Sequence, residues 1–266
     1  MYPHPNPLKQ KLQAGGCILG LFIQSSSPDN VEIAAATGFD YVIIDTEHGS
    51  FGLSEMTQLI RASEAAGICP IVRVPDQDGT NIRRAAEAGA MGVYIPDIRT
   101  AEQARSAIAA LRFKDRGNQG VRGACPTIRA ARPGSQNWRD FVEWSNQNVM
   151  ACLLVESQEG IDNLDAILAV PGIDTIILGR FDLWHEKGLG GDRYHPEIAT
   201  IFEVFRAKAS AAGIPYVARL SSLEPITAKK EWDAAVKEGA RIFNIASDRQ
   251  LIFRAFSQAV ASLAKA

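Results

Sequence analysis

The sequence predicts a single (β/α)8 (TIM) barrel, and three observations carry the prediction. Short apolar runs alternate with helical patterns eight times, over the roughly 250 residues such a barrel takes. The apolar runs are nearly continuous, as expected of strands buried on both faces of a parallel sheet. Helical patterns stop at Gly38, Gly67, Gly89, Gly213 and Gly239, and glycine closes a helix most readily. A doubly wound open sheet is the rival. It would show a Gly-rich fingerprint after the first strand, where Ser25-Ser26-Ser27 stands instead. Residues 1–266 read as one domain, with 1–14 an N-terminal arm and short helix.

Taken in order, the arm holds Pro3, Pro5 and Pro7 and leads into a helix over 8–14 that covers the barrel bottom. Strands follow at 18–23, 41–45, 69–74, 91–95, 149–155, 173–178, 215–219 and 241–246. Ser27-Pro28 opens the first barrel helix, with proline at the first helical position. Further helices are expected over 53–66, 81–88, 101–111, 138–146, 160–168, 196–212, 225–238 and 248–263. Residues 113–137 break the pattern with Gly117, Gly120, Gly123, Pro126, Pro133 and Gly134, and carry Arg116, Arg122, Arg129 and Arg132. Irregular segments this long inside a domain are usually functional or disordered. A second Gly-rich stretch, Lys187 to Gly191, precedes His195-Pro196.

Composition narrows the class. The chain of 266 residues is 46% hydrophobic and 22% charged, ordinary for a globular protein. Its 28 Lys+Arg against 30 Asp+Glu give a net charge of −2, and no basic field argues for nucleic acid. No apolar stretch reaches the roughly 18 residues of a membrane span, and the N-terminus lacks the order of a signal peptide. The 4 cysteines, Cys17, Cys69, Cys125 and Cys152, are scattered without a C-x-x-C. They read as small hydrophobes in a reducing, cytoplasmic compartment.

The strand ends carry the chemistry. Residues 40–49 run from an apolar strand straight into Asp45, Glu47 and His48; strand three ends at Arg73, strand five at Glu156, and strand six runs on to Asp182. In a barrel these ends meet in one mouth, where ligands bind. Taken singly, each has a plain alternative as a salt bridge, a turn former or a helix N-terminal acid. Glu156 and Asp182 suit a hard divalent cation, Mg2+ or Mn2+ with Co2+ as a further candidate, whose open positions a 2-oxo acid fills with two oxygens. Such a cation acts as a Lewis acid on the keto group. Arg73 adds positive charge where an enolate oxygen develops. His48, oriented by nearby carboxylates such as Asp45, is the candidate general base. None of the lysines falls at a strand end, which disfavours imine chemistry. Strands seven and eight end in Arg219-Leu220-Ser221-Ser222 and Ala246-Ser247-Asp248, without a Gly-rich phosphate cradle, which argues against a phosphorylated substrate.

With those residues in place, Gly38 to Gly49 resembles the hallmark of the metal-dependent (class II) pyruvate aldolases. Val72-Arg73-Val74, Ala88-Gly89-Ala90, Gly120-Val121-Arg122-Gly123, Val155-Glu156-Ser157, Gly179-x-x-Asp182-Leu183 and His195-Pro196-Glu197 follow in the family's order. The resemblance implies cleavage of a 4-hydroxy-2-oxo acid to pyruvate and an aldehyde. It implies Glu156 and Asp182 as metal ligands, His48 as base and Arg73 beside the enolate. It also implies that Glu87, where relatives usually have Asp, supports the histidine across a subunit contact in a hexamer built from trimers. Backbone amides at Phe181 and Asp182 would hold the pyruvate carboxylate. The 113–137 segment would lie near the mouth, with Arg122 meeting the substrate's far end. Arg180, Trp184 and Leu154 depart from the family pattern. The alternatives are a citrate lyase-type enzyme acting on another oxo acid or a thioester, and a barrel that binds a metal–oxo acid complex without turnover.

Overall fold

Each strand forms where the sequence supplies a run of branched or aromatic apolar residues. The strands are β1 (Ile18–Ile23), β2 (Tyr41–Asp45), β3 (Cys69–Arg73), β4 (Gly92–Ile95), β5 (Met150–Val155), β6 (Thr175–Leu178), β7 (Val217–Arg219) and β8 (Ile242–Ser247). The computed structural model describes residues 3–132, 137–190, 195–220 and 222–263. Pro133, Gly134, Gly191 and Ser221, named in the sequence reading, lie outside the described residues. Every ladder is parallel, in the order β6-β5-β4-β3-β2-β1-β8-β7. Among the described residues, β6 and β7 meet through an isolated bridge, Ile176 with Tyr216. The Ile176 N–H donates to the Pro215 carbonyl at 3.0 Å beside it. The result is a nearly closed (β/α)8 barrel.

The helices are α1 (Pro7–Gln13), α2 (Pro28–Ala36), α3 (Leu53–Ala66), α4 (Gly79–Ala88), α5 (Ala101–Leu111), α6 (Trp138–Asn148), α7 (Gln158–Asp162), α8 (Leu164–Leu168), α9 (Arg180–Glu186), α10 (Pro196–Ala211), α11 (Pro225–Lys237) and α12 (Asp248–Leu263). Caps set their starts. Asn6 accepts from the Leu8 N–H at 2.9 Å, and Thr100 and Gln103 form a reciprocal capping box. Gly67 and Gly89 close α3 and α4 at φ 75° and 108°, a conformation side chains resist. No helix among the described residues is long and apolar enough to cross a membrane.

The alternation of the strands builds two layers. One set of side chains packs outward against the helices, including Val42, Ile44, Val72, Val93, Leu153 and Val155. The other fills the barrel: Ile18, Tyr41, Ile43, Ile71, Tyr94, Cys152, Leu154, Val217 and Ile242, with Leu8 of α1 plugging the bottom. Gly20 is glycine because a Cβ there would overlap the Tyr41 ring. The Tyr41 hydroxyl lies 2.5 Å from Asn244 Oδ1, which satisfies a polar group in an apolar interior.

Three expectations change. The helix expected over 160–168 is two short ones, α7 and α8, separated at Asn163, whose side chain donates to the Arg99 carbonyl at 3.0 Å. Residues 180–186, where the sequence reading places no helix, form the helix α9, which carries Arg180, Phe181 and Asp182 in its first turn. The described part of the 113–137 segment, expected near the mouth, does not approach it in this chain. It folds over the outer ends of α4, α5 and α6, near the strand starts. There Phe113, Ala131 and Phe141 form a separate apolar cluster, and Arg129 pairs with Glu64 and the Ala88 carbonyl. The aromatic residues Phe113, Trp138 and Phe141, spread over the segment and the following helix, explain the docking: ring centroids of Phe113 and Trp138 lie 5.3 Å apart.

Candidate active site

Strand parity decides what reaches the mouth. Two residues beyond the inward-facing Ile43, Ile71 and Leu154 stand Asp45, Arg73 and Glu156, so these also point inward, at the C-terminal end. Asp45 and Arg73 are directly paired in the β2–β3 register. The guanidinium forks onto the carboxylate, Nε to Oδ1 at 2.9 Å and Nη2 to Oδ2 at 2.7 Å. Asp45 is fully buried and Arg73 is 8% exposed. Burial raises the Asp45 carboxyl, but the hydrogen bonds and charge of Arg73, with Gln24, outweigh it and hold the group below its ordinary value. The same partnership holds the Arg73 guanidinium above its ordinary value against desolvation.

Asp45 also shapes the turn that follows. Its Oδ1 accepts from the backbone N–H groups of Glu47 and His48, both at 3.2 Å. Glu47 and His48 therefore leave the strand end in a fixed direction. Glu47 Oε2 lies 3.0 Å from Arg73 Nη1 and 3.8 Å from His48 Nε2. The imidazole is otherwise open to solvent, its side chain 57% exposed.

Glu156 stands at the end of β5, 9% exposed. The Asp97 N–H donates to its Oε1 at 2.8 Å. Asp97 is held at φ 53°, a left-handed conformation that Asp tolerates better than most residues. Gly179 lies against the other side; a Cβ there would overlap Glu156 Cβ and Oε2. Burial, opposed by the Asp97 N–H and reinforced by the charges of Asp182 and Glu47, pushes the Glu156 carboxyl up to about 7. Burial likewise raises Glu47, against Arg73 and His48, with the charges of Asp45 and Asp182 adding to it. Glu47, Glu156 and Asp182 are thus mutually repelling acids facing one space.

That repulsion fits a divalent cation, and the two-carboxylate oxygen set of Glu156 and Asp182 is of the hard kind such cations choose. The described residues contain no group of three or more His, Cys, Asp or Glu at metal-ligand spacing. A cation held by two carboxylates alone would take water or substrate oxygens at its remaining positions.

The raised group has a measurable consequence. Between pH of about 4.5 and 7 the folded chain keeps a Glu156 proton that the unfolded chain has lost, so ionisation works against folding. The metal-free protein is expected to lose on the order of 3 kcal/mol of stability as pH rises across that window. Denaturant unfolding at several pH values in chelator checks it, and Glu156→Gln should reduce the slope, leaving the part owed to Glu47.

His48, Arg73, Asp45, Glu156, Phe181 and Asp182 gather at one end of the barrel. Glu87 and Arg122 do not join them in this chain. Glu87 lies in the last turn of α4, 3.9 Å from Arg83. Arg122 is buried beneath the 113–137 segment, its guanidinium 4.3 Å from the Phe113 ring and its Nη1 donating to Ser145 at 3.1 Å. Burial lowers the Arg122 guanidinium to about 10, against the Glu87 charge. The two residues absent from the mouth are electrostatic neighbours of each other.

Three contributors escaped the sequence reading. Gln24 donates to Asp45 Oδ2 at 2.9 Å, and its own N–H is held by Asp248 Oδ1 at 2.9 Å. The Asp97 amide and the bare Cα of Gly179 hold Glu156 from two sides. Strand-end position marks Gln24 and Asp97, but neither residue type signals its role.

Comparison with known proteins identifies the family. The family model described as HpcH/HpaI aldolase/citrate lyase matches residues 19–255. The chain is 32% identical over 263 residues to a 5-keto-4-deoxy-D-glucarate aldolase of Escherichia coli O6:H1, covering 98% of this chain and 97% of that one. It is 31% identical over 258 residues to a hydroxypyruvate/pyruvate aldolase of Paraburkholderia phytofirmans, covering 96% of each. A crystal structure of an HpcH/HpaI aldolase/citrate lyase family protein from Burkholderia cenocepacia superposes with a TM-score of 0.87 at 30% identity, over 97% of this chain and 99% of that one. With its barrel, its strand-end acids and a match spanning nearly all of its length, this chain belongs to the HpcH/HpaI aldolase/citrate lyase family.

Proposed function

We propose that the protein is a divalent-metal-dependent aldolase that reversibly cleaves a 4-hydroxy-2-oxo acid to pyruvate and an aldehyde. The observation that carries this reading is the convergence of Arg73, Glu156 and Asp182 around one anion-rich space. Glu156 and Asp182 would hold the cation, Mg2+ or Mn2+. When bound it would polarise the keto oxygen of the substrate as a Lewis acid.

The chain's own groups do the rest. Arg73 is pinned by Asp45 through two of its nitrogens, so Nη1 is presented at a fixed angle on the mouth side. It offers positive charge where the enolate oxygen develops, on the same side as Glu47, whose Oε2 lies 3.0 Å from it. The N–H groups of Phe181 and Asp182 open α9 and have no intrahelical acceptor, which suits them to the pyruvate carboxylate. His48 is solvent-open and held near Glu47. It takes the C4 hydroxyl proton, directly or through one water, as the C3–C4 bond breaks. The proton returns to the enolate carbon to give pyruvate.

The test is deuterium exchange. Incubated with Mg2+ or Mn2+ in D2O, the protein is expected to exchange the methyl protons of pyruvate, and chelation should stop the exchange. Exchange that proceeds unchanged in chelator rules out the cation; no exchange under any condition rules out the enolate.

The active unit in this reading is a homo-oligomer, a trimer or hexamer. Two observations support it. Asp248 is the buried residue of α12, while Phe253, Phe256, Val260 and Leu263 form an apolar stripe 68–79% exposed. Glu87, in the last turn of α4 and away from this chain's strand-end acids, is half-buried and within a neighbour's reach, whereas Arg122 is buried. A double Phe253→Asp, Phe256→Asp variant is expected to elute as a smaller species; light scattering checks it. The free thiols, with Cys69 and Cys152 buried, support a reducing, cytoplasmic setting.

A further inference from the structure

Asp248 is a buried carboxylate that the reaction above leaves unused. It opens α12 and is 4% exposed. Its Oδ1 accepts from the Gln24 N–H at 2.9 Å and from the Arg249 N–H at 2.8 Å. Its Oδ2 accepts from the Ser25 N–H at 3.3 Å and from Asn30 Nδ2 at 3.0 Å. The Ser25 hydroxyl accepts from Asn30 Nδ2 at 2.9 Å, which leaves its own hydrogen for Asp248 Oδ2. Each of these partners is a neutral donor. A carboxylate, which only accepts, suits them all, whereas a side-chain amide would turn its own N–H groups on some of them. Of these donors only the Arg249 N–H belongs to α12. The others belong to the stretch after β1, so helix capping does not explain the cluster.

The stretch held in this way leads to Arg73. Gln24 lies two residues past Phe22, whose ring packs with the inner layer of the barrel. Gln24 Nε2 donates to Asp45 Oδ2 at 2.9 Å, the same oxygen that takes Arg73 Nη2 at 2.7 Å. The Arg73 guanidinium carbon lies 5.1 Å from the Phe22 ring centroid. Phe22 pairs in register with Ser247, the residue before Asp248. Hydrogen bonds therefore run without a gap from the start of α12 to the guanidinium: Asp248 to Gln24, Gln24 to Asp45, Asp45 to Arg73. A second tie leaves the same turn of α12. Arg249 Nη2 donates to Ser50 Oγ at 2.8 Å, two residues past His48.

We propose that Asp248 and Gln24 are positioning residues for Arg73. Asp248 fixes the Gln24 backbone, and Gln24 fixes the carboxylate of Asp45 on which the guanidinium forks. The inference rests on the aldolase reading, in which Arg73 faces the enolate oxygen. Neither residue touches substrate. Their work is to hold the direction of Nη1, and a misplacement of about 1 Å at a reacting centre costs on the order of a hundredfold in rate.

The experiment measures exchange of pyruvate methyl protons by the full chain with Mn2+. The variants are Gln24→Met, Asp248→Asn, Arg73→Lys and each of the first two combined with Arg73→Lys. Gln24→Met deletes the Nε2 donor at nearly constant volume and keeps the backbone N–H that Asp248 holds. It is expected to lower kcat at least about tenfold while the KM of pyruvate stays within about twofold. Asp248→Asn should lower kcat in the same way. In the Arg73→Lys background each change should cost less than about twofold, because the group they position is gone. Mn2+ affinity, read by calorimetry, should match the wild type, since Glu156 and Asp182 follow β5 and β6. Equal losses in both backgrounds, or a loss carried by KM, would make the two residues merely structural and overturn the proposal. An unchanged kcat in Gln24→Met does the same, and that variant decides the matter if Asp248→Asn does not fold. Absence of exchange in the wild type removes the aldolase reading, and with it the role of Arg73 that this network serves.

Discussion

Arg73→Lys is expected to give a folded protein whose kcat has fallen by roughly a hundred- to a thousandfold, the scale of losing one preorganised donor at a developing oxyanion. The reason lies in the fork. Nε and Nη2 of Arg73 are both committed to Asp45, and the third nitrogen is thereby aimed at the mouth. A lysine has one nitrogen; it can pair with Asp45 or face the substrate, not both in the same geometry. Arg73→Ala should be worse in a different way. It leaves Asp45 ionised and buried without its partner, at a cost of about 3–5 kcal/mol of stability. Denaturant unfolding of both variants, alongside pyruvate exchange, separates the two effects. A lysine variant with near-normal kcat would mean that Arg73 serves only to neutralise Asp45.

Glu156→Gln should weaken binding of Mn2+ by more than about a hundredfold, because ligand charge sets the affinity of hard-cation sites. Calorimetric titration with Mn2+ reads this directly, with Asp182→Asn as the companion variant. Gly179→Ala offers a subtler version. The added methyl would overlap Glu156, so the carboxylate must move although no ligand atom is deleted. It should lower affinity and also thermal stability, because the overlap reaches Glu156 Cβ as well as its carboxylate; the same titration and thermal unfolding measure both. Full metal affinity in Glu156→Gln would exclude the assigned ligand.

Much of this was legible in the sequence because a barrel converts position into place. Asp45, Arg73 and Glu156 announce themselves as charged residues ending apolar strands, and the fold alone brings them together. The strand limits of β1 and β2 are those the apolar runs predict. Other features were not legible for physical reasons. The α9 helix follows β6 without a break, and Arg180-Phe181-Asp182 reads equally well as a turn because nothing in it marks a helix start. The place of the 113–137 segment depends on Phe113 finding Trp138 and Phe141, a long-range apolar match that turn-forming glycines conceal. The Asp97 amide holds Glu156 through its backbone, so no side chain reports it.

The scarce pairing between β6 and β7 has a further consequence. A hoop of staves with one loose joint widens at that joint before it yields elsewhere. Arg180 and Phe181 ride on one edge of the joint and Arg219 on the other, while Asp45, Arg73 and Glu156 stand on the continuous arc. Phe181 and Asp182, to which the aldolase reading gives the pyruvate carboxylate and the cation, thus stand at the least-paired seam, so widening there loosens the keto-acid grip while Asp45, Arg73 and Glu156 keep their places.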